Sequence, residues 1–418
     1  MKSKINHRQF FIALAAFAAV SCGPREIDNS VTISGRIDGL EFKGRYTSKD
    51  TLFLDFNNIR GERIRDTILI VDGELNFKKE LEIDAISRGR IFMPMDTVTK
   101  WIFTGYYPTP VSRIDFLMYP GAKIDIRGDI KDYVDAYGYD GGINDELSAL
   151  AKKTHVLENE AINLQVRIAK SEYYRGEYYA HLSEREIDSL ETSRNIVRED
   201  PELINSMTEQ MNELNDQAFA LRKQFVTDHS QSASAGYMLQ DISRDLDYDT
   251  FSGLFKNLAE DVKSNPYGMV LDTKLQAIEA TKVGNPAPLI MGTTHLGESF
   301  DLTQLQGKVV LIDFWGTWCG PCIDGFPKLK EFYSKYDDLE ILGIASDQEK
   351  AWRKGIDKFE LTWIQLLDAK GDVAINNYNV NAFPTKFIID RDGKIALKEI
   401  GEIRESEIEK VLAKLMGD

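Results

Sequence analysis

The sequence predicts a multidomain chain in three parts: an N-terminal antiparallel β-domain, a helical middle region and a C-terminal α/β domain. Three patterns carry this reading. Short β-rich runs between turn signals occupy residues 30–140, and apolar residues recur at alternating steps of three and four through 144–281. From 284 to 418 a continuous apolar run leads into an amphipathic stretch and later a hairpin signal. A chain of 418 residues has room for two or three domains with buried cores.

In the first part the strand candidates are 31–35, 51–56, 68–71 before Asp72-Gly73, and 123–126 after Pro120-Gly121. They suggest a sandwich-like β-domain without a catalytic cluster; Asp125 and Asp129 read as solvated strand residues. In the middle, Leu147, Leu150, Thr154, Leu157, Ala161, Leu164 and Ile168 form one stripe, and Met207, Met211, Leu214, Ala218, Leu221 and Phe225 a second. A helical hairpin packing on itself is expected, with a dimerising coiled coil as the rival. His155, His181 and His229 lack ligand spacing and read as surface or packing residues. Residues 282–288, with two prolines and a glycine, read as a linker.

The charge balance excludes one class of partner. Against 51 Lys and Arg stand 67 Asp and Glu, a formal charge of −16, which repels phosphate backbones, so no nucleic-acid partner is expected. The three cysteines, Cys22, Cys319 and Cys322, are too few for a disulfide-stapled scaffold. Lys2, Lys4 and Arg8 precede an apolar run at 10–20, about half of the ~20 residues a membrane span needs, so residues 1–21 read as a signal peptide. Small residues ending at Cys22 resemble the lipobox of bacterial lipoproteins, with Ala19 where Leu is usual. That resemblance implies lipidation of Cys22, and Gly23 after it implies an outer-membrane anchor. The rival is an ordinary secretory signal with a free Cys22; either reading exports the chain.

The chemistry lies in the last part. The apolar run 308–314 reads as a buried parallel strand, leading through Trp315-Gly316-Thr317-Trp318 into Cys319-Gly320-Pro321-Cys322. Phe326, Leu329, Tyr333 and Tyr336 then fall on one helical face, placing Cys319 at a helix start. Unpaired N–H groups and the positive dipole end there favour a thiolate, the nucleophile in disulfide exchange. With two residues between the thiols, Cys322 can resolve a mixed disulfide formed on Cys319.

Residues 284–418 resemble the thioredoxin-like domain of the TlpA and ResA family of thiol-disulfide oxidoreductases. The matching pieces are Gly284-Asn285-Pro286-Ala287-Pro288, Gly307-Lys308, residues 314–322, Ala345-Ser346-Asp347 and Phe383-Pro384-Thr385. The resemblance implies a cis bond before Pro384 facing the dithiol, with Phe383, Trp315 and Trp318 beside the substrate groove. An X-Pro step entering the strand 385–390 points to a special bond on its own. Residues 339–345 and 348–359 are expected to be the extra strand and helix of this branch, 391–394 a hairpin turn, and Ser406 with Glu409 a capping box on the last helix. The β-rich first part, with its Tyr119-Pro120-Gly121 turn, resembles the β-domain found ahead of such domains in envelope lipoproteins.

One departure bears on mechanism. Where the family carries an active-site Glu after the second cysteine, this chain has Gly325, while Asp313 stands six residues before Cys319, where thioredoxins hold a buried Asp. Asp313 is therefore the expected proton acceptor for Cys322, with Asp324 as the substitute. Desolvation disfavours the charged carboxylate, so Asp313→Asn is expected to stabilise the domain near neutral pH. No cofactor is expected, and a zinc site would lack ligands after Cys322. Gly-Pro between the cysteines resembles the reducing thioredoxins, which implies a protein-disulfide reductase recharged by a membrane electron donor. Its partners would be protein disulfide or thiol clients, apocytochrome c thiols or misbonded envelope proteins. The alternative is a partner- or ligand-binding envelope lipoprotein in which the dithiol is secondary.

Overall fold

The computed structural model describes residues 30–39, 51–57, 63–80, 85–93, 100–102, 105–107, 112–130, 133–173, 183, 185–186, 189, 199–371, 373–401 and 405–417. The leader, Cys22 and His181 lie outside them. Among the described residues no helix is long and apolar enough to cross a membrane.

The first part contains β1 (Ser30–Asp38), β2 (Thr51–Asn57), β3 (Arg63–Val71), β4 (Glu74–Glu80), β5 (Ser87–Phe92), the short hairpin β6 (Lys100–Ile102) and β7 (Gly105–Tyr107), β8 (Arg113–Met118), β9 (Lys123–Ile130) and β10 (Val134–Tyr139). Eight of these strands form one sheet in the order β10-β9-β1-β4-β3-β2-β5-β8. The Asp72-Gly73 turn closes β3 onto β4 with both residues at positive φ, as a tight hairpin demands. The sheet curls: a Cβ built on Gly138 of β10 would stand 3.4 Å from Phe116 Cβ of β8, so the two edges face each other. Ile33, Leu54, Ile91, Phe116, Ile124 and Ile126 thus share a single core. The expected antiparallel arrangement fails at one place, where β1 and β9 pair in parallel. That close approach requires Gly35, at φ 130°, because a Cβ there would lie 2.0 Å from the Ile126 carbonyl oxygen.

Two acidic side chains pin the outside of this domain. The Asp55 carboxylate takes Arg65 Nε at 2.7 Å and Nη2 at 3.0 Å, and is also paired with Arg63. The Arg65 hydrogen bonds hold its carboxyl below the usual range against the cost of burial. Asp115 is lowered too: burial works against its carboxylate, and the Arg88 and Arg113 charges more than offset that. A depressed folded pKa means stability that is full above the unfolded value, near 3.8, and is lost as pH falls through the lower folded value. The β-domain is therefore expected to lose thermal stability from about pH 4 downward. Asp55→Asn should decline less steeply, and equal slopes for variant and parent between acidic and neutral pH would contradict this account.

The helical region follows with α1 (Ile143–Tyr173), α2 (Pro201–Asp228), α3 (Ala233–Ile242), α4 (Tyr248–Asn257), α5 (Glu260–Ser264) and α6 (Pro266–Ala280). The two predicted stripes meet: α1 and α2 pack against each other, burying Leu147, Leu150, Ala161 and Ile168 with Met207, Leu214, Ala218 and Phe225. Arg222 of α2 pairs with buried Glu158 of α1. The region docks on the β-domain through Asn144, whose amide accepts from Leu117 N–H at 2.7 Å and donates to Leu117 C=O at 2.9 Å. An otherwise unpaired backbone edge of β8 is satisfied in this way. His155 packs against Tyr137 and His229 stacks on Phe225.

The last part has β11 (Met291–Thr293), β12 (Ser299–Asp301), β13 (Val309–Trp315), α7 (Gly320–Asp324), α8 (Phe326–Lys335), β14 (Leu339–Ala345), α9 (Glu349–Phe359), β15 (Ile364–Leu367), β16 (Thr385–Ile389), β17 (Ile395–Ile400) and α10 (Glu405–Met416). Its five-stranded sheet runs β15-β14-β13-β16-β17, with β13 central and buried along its whole length. The β14–α9 pair falls where expected, and Gly393, at φ 78°, makes the β16–β17 hairpin turn. The expected single helix after the dithiol is broken at Gly325, because Pro327 sits in the first turn of α8 and Pro is tolerated only there. α10 buries Ile408 and Leu412, while the Ser406 side chain lies outside the described residues.

The segment read as a linker is stitched down instead. Gly284 N–H donates to Ile395 C=O at 2.8 Å, Ile395 N–H to Asn285 C=O at 2.9 Å, and Ala287 N–H to Gly393 C=O at 2.9 Å. Prolines leave its backbone extended, and the β17 edge supplies the partners an extended backbone needs.

Candidate active site

The period of two along β13 sorts its side chains. Val310, Ile312 and Phe314 join the core on one face, while Val309, Leu311 and Trp315 join the other, together with Cys319, Cys322 and the α8 residues Phe326, Leu329 and Phe332. Asp313 therefore projects toward the face that carries the dithiol helix. It is fully buried, and so is the residue directly across from it on β16, Lys386. Their side chains form an ion pair of 2.7 Å, with no further hydrogen-bond partner for either among the described residues.

Cys319 is the N-cap of α7 and is bonded to Cys322, with Cα atoms 5.3 Å apart. Its sulfur accepts the Cys322 N–H at 3.2 Å, placing a helix-start donor on Cys319. The two sulfurs differ in setting. Both are buried, but Cys319, 4% exposed, caps the helix directly after Trp318, which is 61% exposed, whereas Cys322 lies inside the helix with no exposed surface.

The loop ahead of Cys319 is tied to the β14–α9 turn. Asp347 Oδ2 accepts from Thr317 N–H at 2.7 Å and from the Thr317 hydroxyl at 2.6 Å, and Trp318 Nε1 donates to Ser346 C=O at 2.8 Å. Gly316 lies under that indole, where a Cβ would meet Trp318 Nε1 at 2.6 Å. On the other side Trp318 makes an edge contact with Phe383 at 5.2 Å between centroids. The Phe383-Pro384 bond is cis, and the Pro384 carbonyl accepts from Gly401 N–H at 2.9 Å.

Of the residues singled out from the sequence, exposed Trp318 and half-buried Phe383 meet, with Cys319, itself only 4% exposed, next to Trp318 and buried Pro384 adjoining Phe383. Trp315 does not join them. It is fully buried, donates from Nε1 to Gln365 Oε1 at 3.0 Å, and packs edge-on against Phe326, so it supports the dithiol from within. Asp324 is exposed. Sequence reasoning missed Lys386, Gln365 and the anchoring role of Asp347. A lysine inside an otherwise apolar strand was the available signal, since buried lysines occur almost only with a partner.

Comparison with known proteins finds relatives over these residues. The AhpC/TSA family model matches residues 283–398. The thiol-disulfide oxidoreductase ResA of Bacillus cereus is 36% identical over 140 residues, covering 33% of this chain and 80% of that protein. The thioredoxin-like protein YneN of Bacillus subtilis is 35% identical over 134 residues, 31% of this chain and 78% of that one. Among solved structures, the thioredoxin domain of a thiol-disulfide oxidoreductase from Bacteroides vulgatus shares 33% identity, covers 31% of this chain and 98% of that one, and has a TM-score of 0.29. By its C-terminal third, the chain belongs to the ResA-type thiol-disulfide oxidoreductases of the thioredoxin-like AhpC/TSA family.

Proposed function

We propose that this chain is a protein-disulfide reductase of the cell envelope, exported by its leader, anchored to the outer membrane through lipidated Cys22 and recharged by a membrane electron donor. The observation that carries the redox part is the asymmetry of the dithiol: Cys319, 4% exposed, caps the helix start beside an exposed indole, while Cys322 lies within the helix with no exposed surface. In the reduced protein the Cys319 thiolate attacks one sulfur of a client disulfide, and the other client sulfur leaves as a thiolate and takes a proton. Cys322 then gives up its proton and attacks Cys319 Sγ, releasing the second client thiolate. Two electrons have passed to the client, leaving the Cys319–Cys322 disulfide for the donor to reduce.

Asp313 is the acceptor for the Cys322 proton in this scheme, with Lys386 holding its carboxylate in place. Support comes from the alternation of β13, which directs Asp313 to the dithiol side of the sheet. Trp318, Phe383 and Pro384 form the client groove. Client thiols of apocytochrome c and misbonded disulfides both suit such a groove.

The direction of transfer is tested by equilibrating the full chain with a glutathione or dithiothreitol couple. A reductase with Gly-Pro between its cysteines is expected near thioredoxin, at about −270 mV. A value near the roughly −120 mV of a strong oxidant would reverse the assignment.

A further inference from the structure

A large cavity lies away from the dithiol, where all three parts of the chain meet. It encloses about 700 Å³, with Arg88 and Arg90 of β5 on one wall, Tyr237, Tyr267 and Lys274 of the helical region on another, and Asn381 of the last domain at its edge. Pockets for small ligands fall in the range of roughly 300–1,000 Å³, so its size suits a small molecule.

Its charge runs against that of the chain. In a protein of formal charge −16, four cationic side chains line this space, Arg88, Arg90, Arg244 and Lys274, against Asp241. Three guanidinium groups crowd one nearby carboxylate. Arg88 Nη2 and Arg113 Nε lie 3.0 Å and 2.9 Å from Asp115 Oδ2, whereas Arg90 Nε is 3.8 Å from Asp115 Oδ1, beyond hydrogen-bond reach. Arg88 also faces Asp241 at 3.9 Å. Arg90 and Lys274 are held below their ordinary values, each by burial first and then by a neighbouring cation, Arg88 and Arg244 respectively. Positive charge is therefore in excess inside a partly desolvated space.

An unpaired group lies in the wall of the same space. The Tyr267 hydroxyl is buried, with the residue 9% exposed, and has no hydrogen-bond partner among the described residues. A buried hydroxyl left unpaired is costly, and a ligand acceptor would satisfy it. Part of the wall is apolar: the Tyr237 and Tyr267 rings meet edge to face at 5.6 Å, beside Ile86 and Val270, while Asn57, Ser87, Gln240 and Ser243 add neutral polar groups.

We propose that this cavity binds a small organic anion, with its carboxylate or phosphate group held by Arg90, Arg244, Lys274 and the Tyr267 hydroxyl, and its apolar body against the two tyrosine rings. The site is separate from the redox reaction.

Isothermal titration of the full chain with phenyl phosphate, benzoate and phenol at physiological salt tests the proposal. Saturable binding of at least one of the two anions is expected, and which one binds identifies the head group. Phenol, which shares the ring without the fixed charge, should bind at least about tenfold more weakly, as should the binding anion to Arg90→Ala, because a hydrogen bond to a charged group is lost. Arg244 is exposed at the rim, so Arg244→Ala keeps the fold intact and should show the same loss if Arg90→Ala does not fold. No saturable binding of either anion at millimolar concentration, equal binding of phenol, or unchanged affinity in Arg244→Ala would each overturn the proposal.

Discussion

Cys322→Ser is expected to convert the protein into a trap that accumulates mixed disulfides with its clients, while Cys319→Ser accumulates almost none. The reason is geometric. Cys319, 4% exposed, caps the helix beside the exposed Trp318, where a client sulfur approaches first, and Cys322 lies a turn inside with no exposed surface, so only a sulfur already bonded to Cys319 comes within its range. Without Cys322 the first exchange proceeds and the second cannot. Without Cys319 no nucleophile faces the client, and turnover of a disulfide substrate should fall by roughly three orders of magnitude or more, as when a catalytic nucleophile is removed elsewhere. Non-reducing gels of both variants, exposed to envelope extract or to a disulfide-bonded peptide, read the difference directly. Equal trapping by the two would mean that the roles of the sulfurs are not set by their places on the helix.

The second large effect concerns Asp313 and Lys386. Treated as a lone buried acid, Asp313 was expected to become less costly when replaced by Asn; the ion pair with Lys386 reverses that sign. Removing the carboxylate leaves the ammonium in the core without its only partner among the described residues, and breaking one side of a buried pair costs about 3–5 kcal/mol. Asp313→Asn and Lys386→Met should each lower the urea midpoint by a corresponding amount at pH 7. The double variant Asp313→Asn/Lys386→Met should recover most of the loss, since no unpaired charge remains. If the two single effects simply add in the double variant, the pair is not coupled and the account fails. The kinetic counterpart separates structure from chemistry. In the double variant, restored stability with slow release of mixed disulfides would keep Asp313 as the proton acceptor, whereas normal release at every pH would remove it from the mechanism.

How far these features could be read from the chain itself varies with the range of the interaction. The dithiol, its helix start and the Asp72-Gly73 and Gly393 turns are local patterns, so residue order was enough, while the β14–α9 insertion was legible through the family resemblance. The helical hairpin was also legible, because its two stripes carry their own period. Lys386 was not. Its partner lies 73 positions away and is fixed only by the antiparallel register that sets Asp313 opposite it. The parallel pairing of β1 with β9 was hidden for the same reason, since strand composition does not encode direction. The seam at Gly284 misled because proline and glycine mark an extended backbone equally well whether it is solvated or lies along a sheet edge. Trp315 was placed near the groove by its neighbours in sequence, but strand alternation turns it into the core.

That seam also governs how the protein can work as a machine. Residues 281–283 alone separate the end of α6 from the first stitched residue, Gly284, and both sides are clamped: Lys398 Nζ donates to Thr281 Oγ1 at 3.1 Å, and Asn285 Nδ2 donates to Glu279 C=O at 2.8 Å. The joint is a rivet rather than a hinge. If the chain works as the proposed reductase, electron donor and client visit the same fixed face in turn, with the cycle timed by their arrivals and departures instead of by the swing of an arm between two stations.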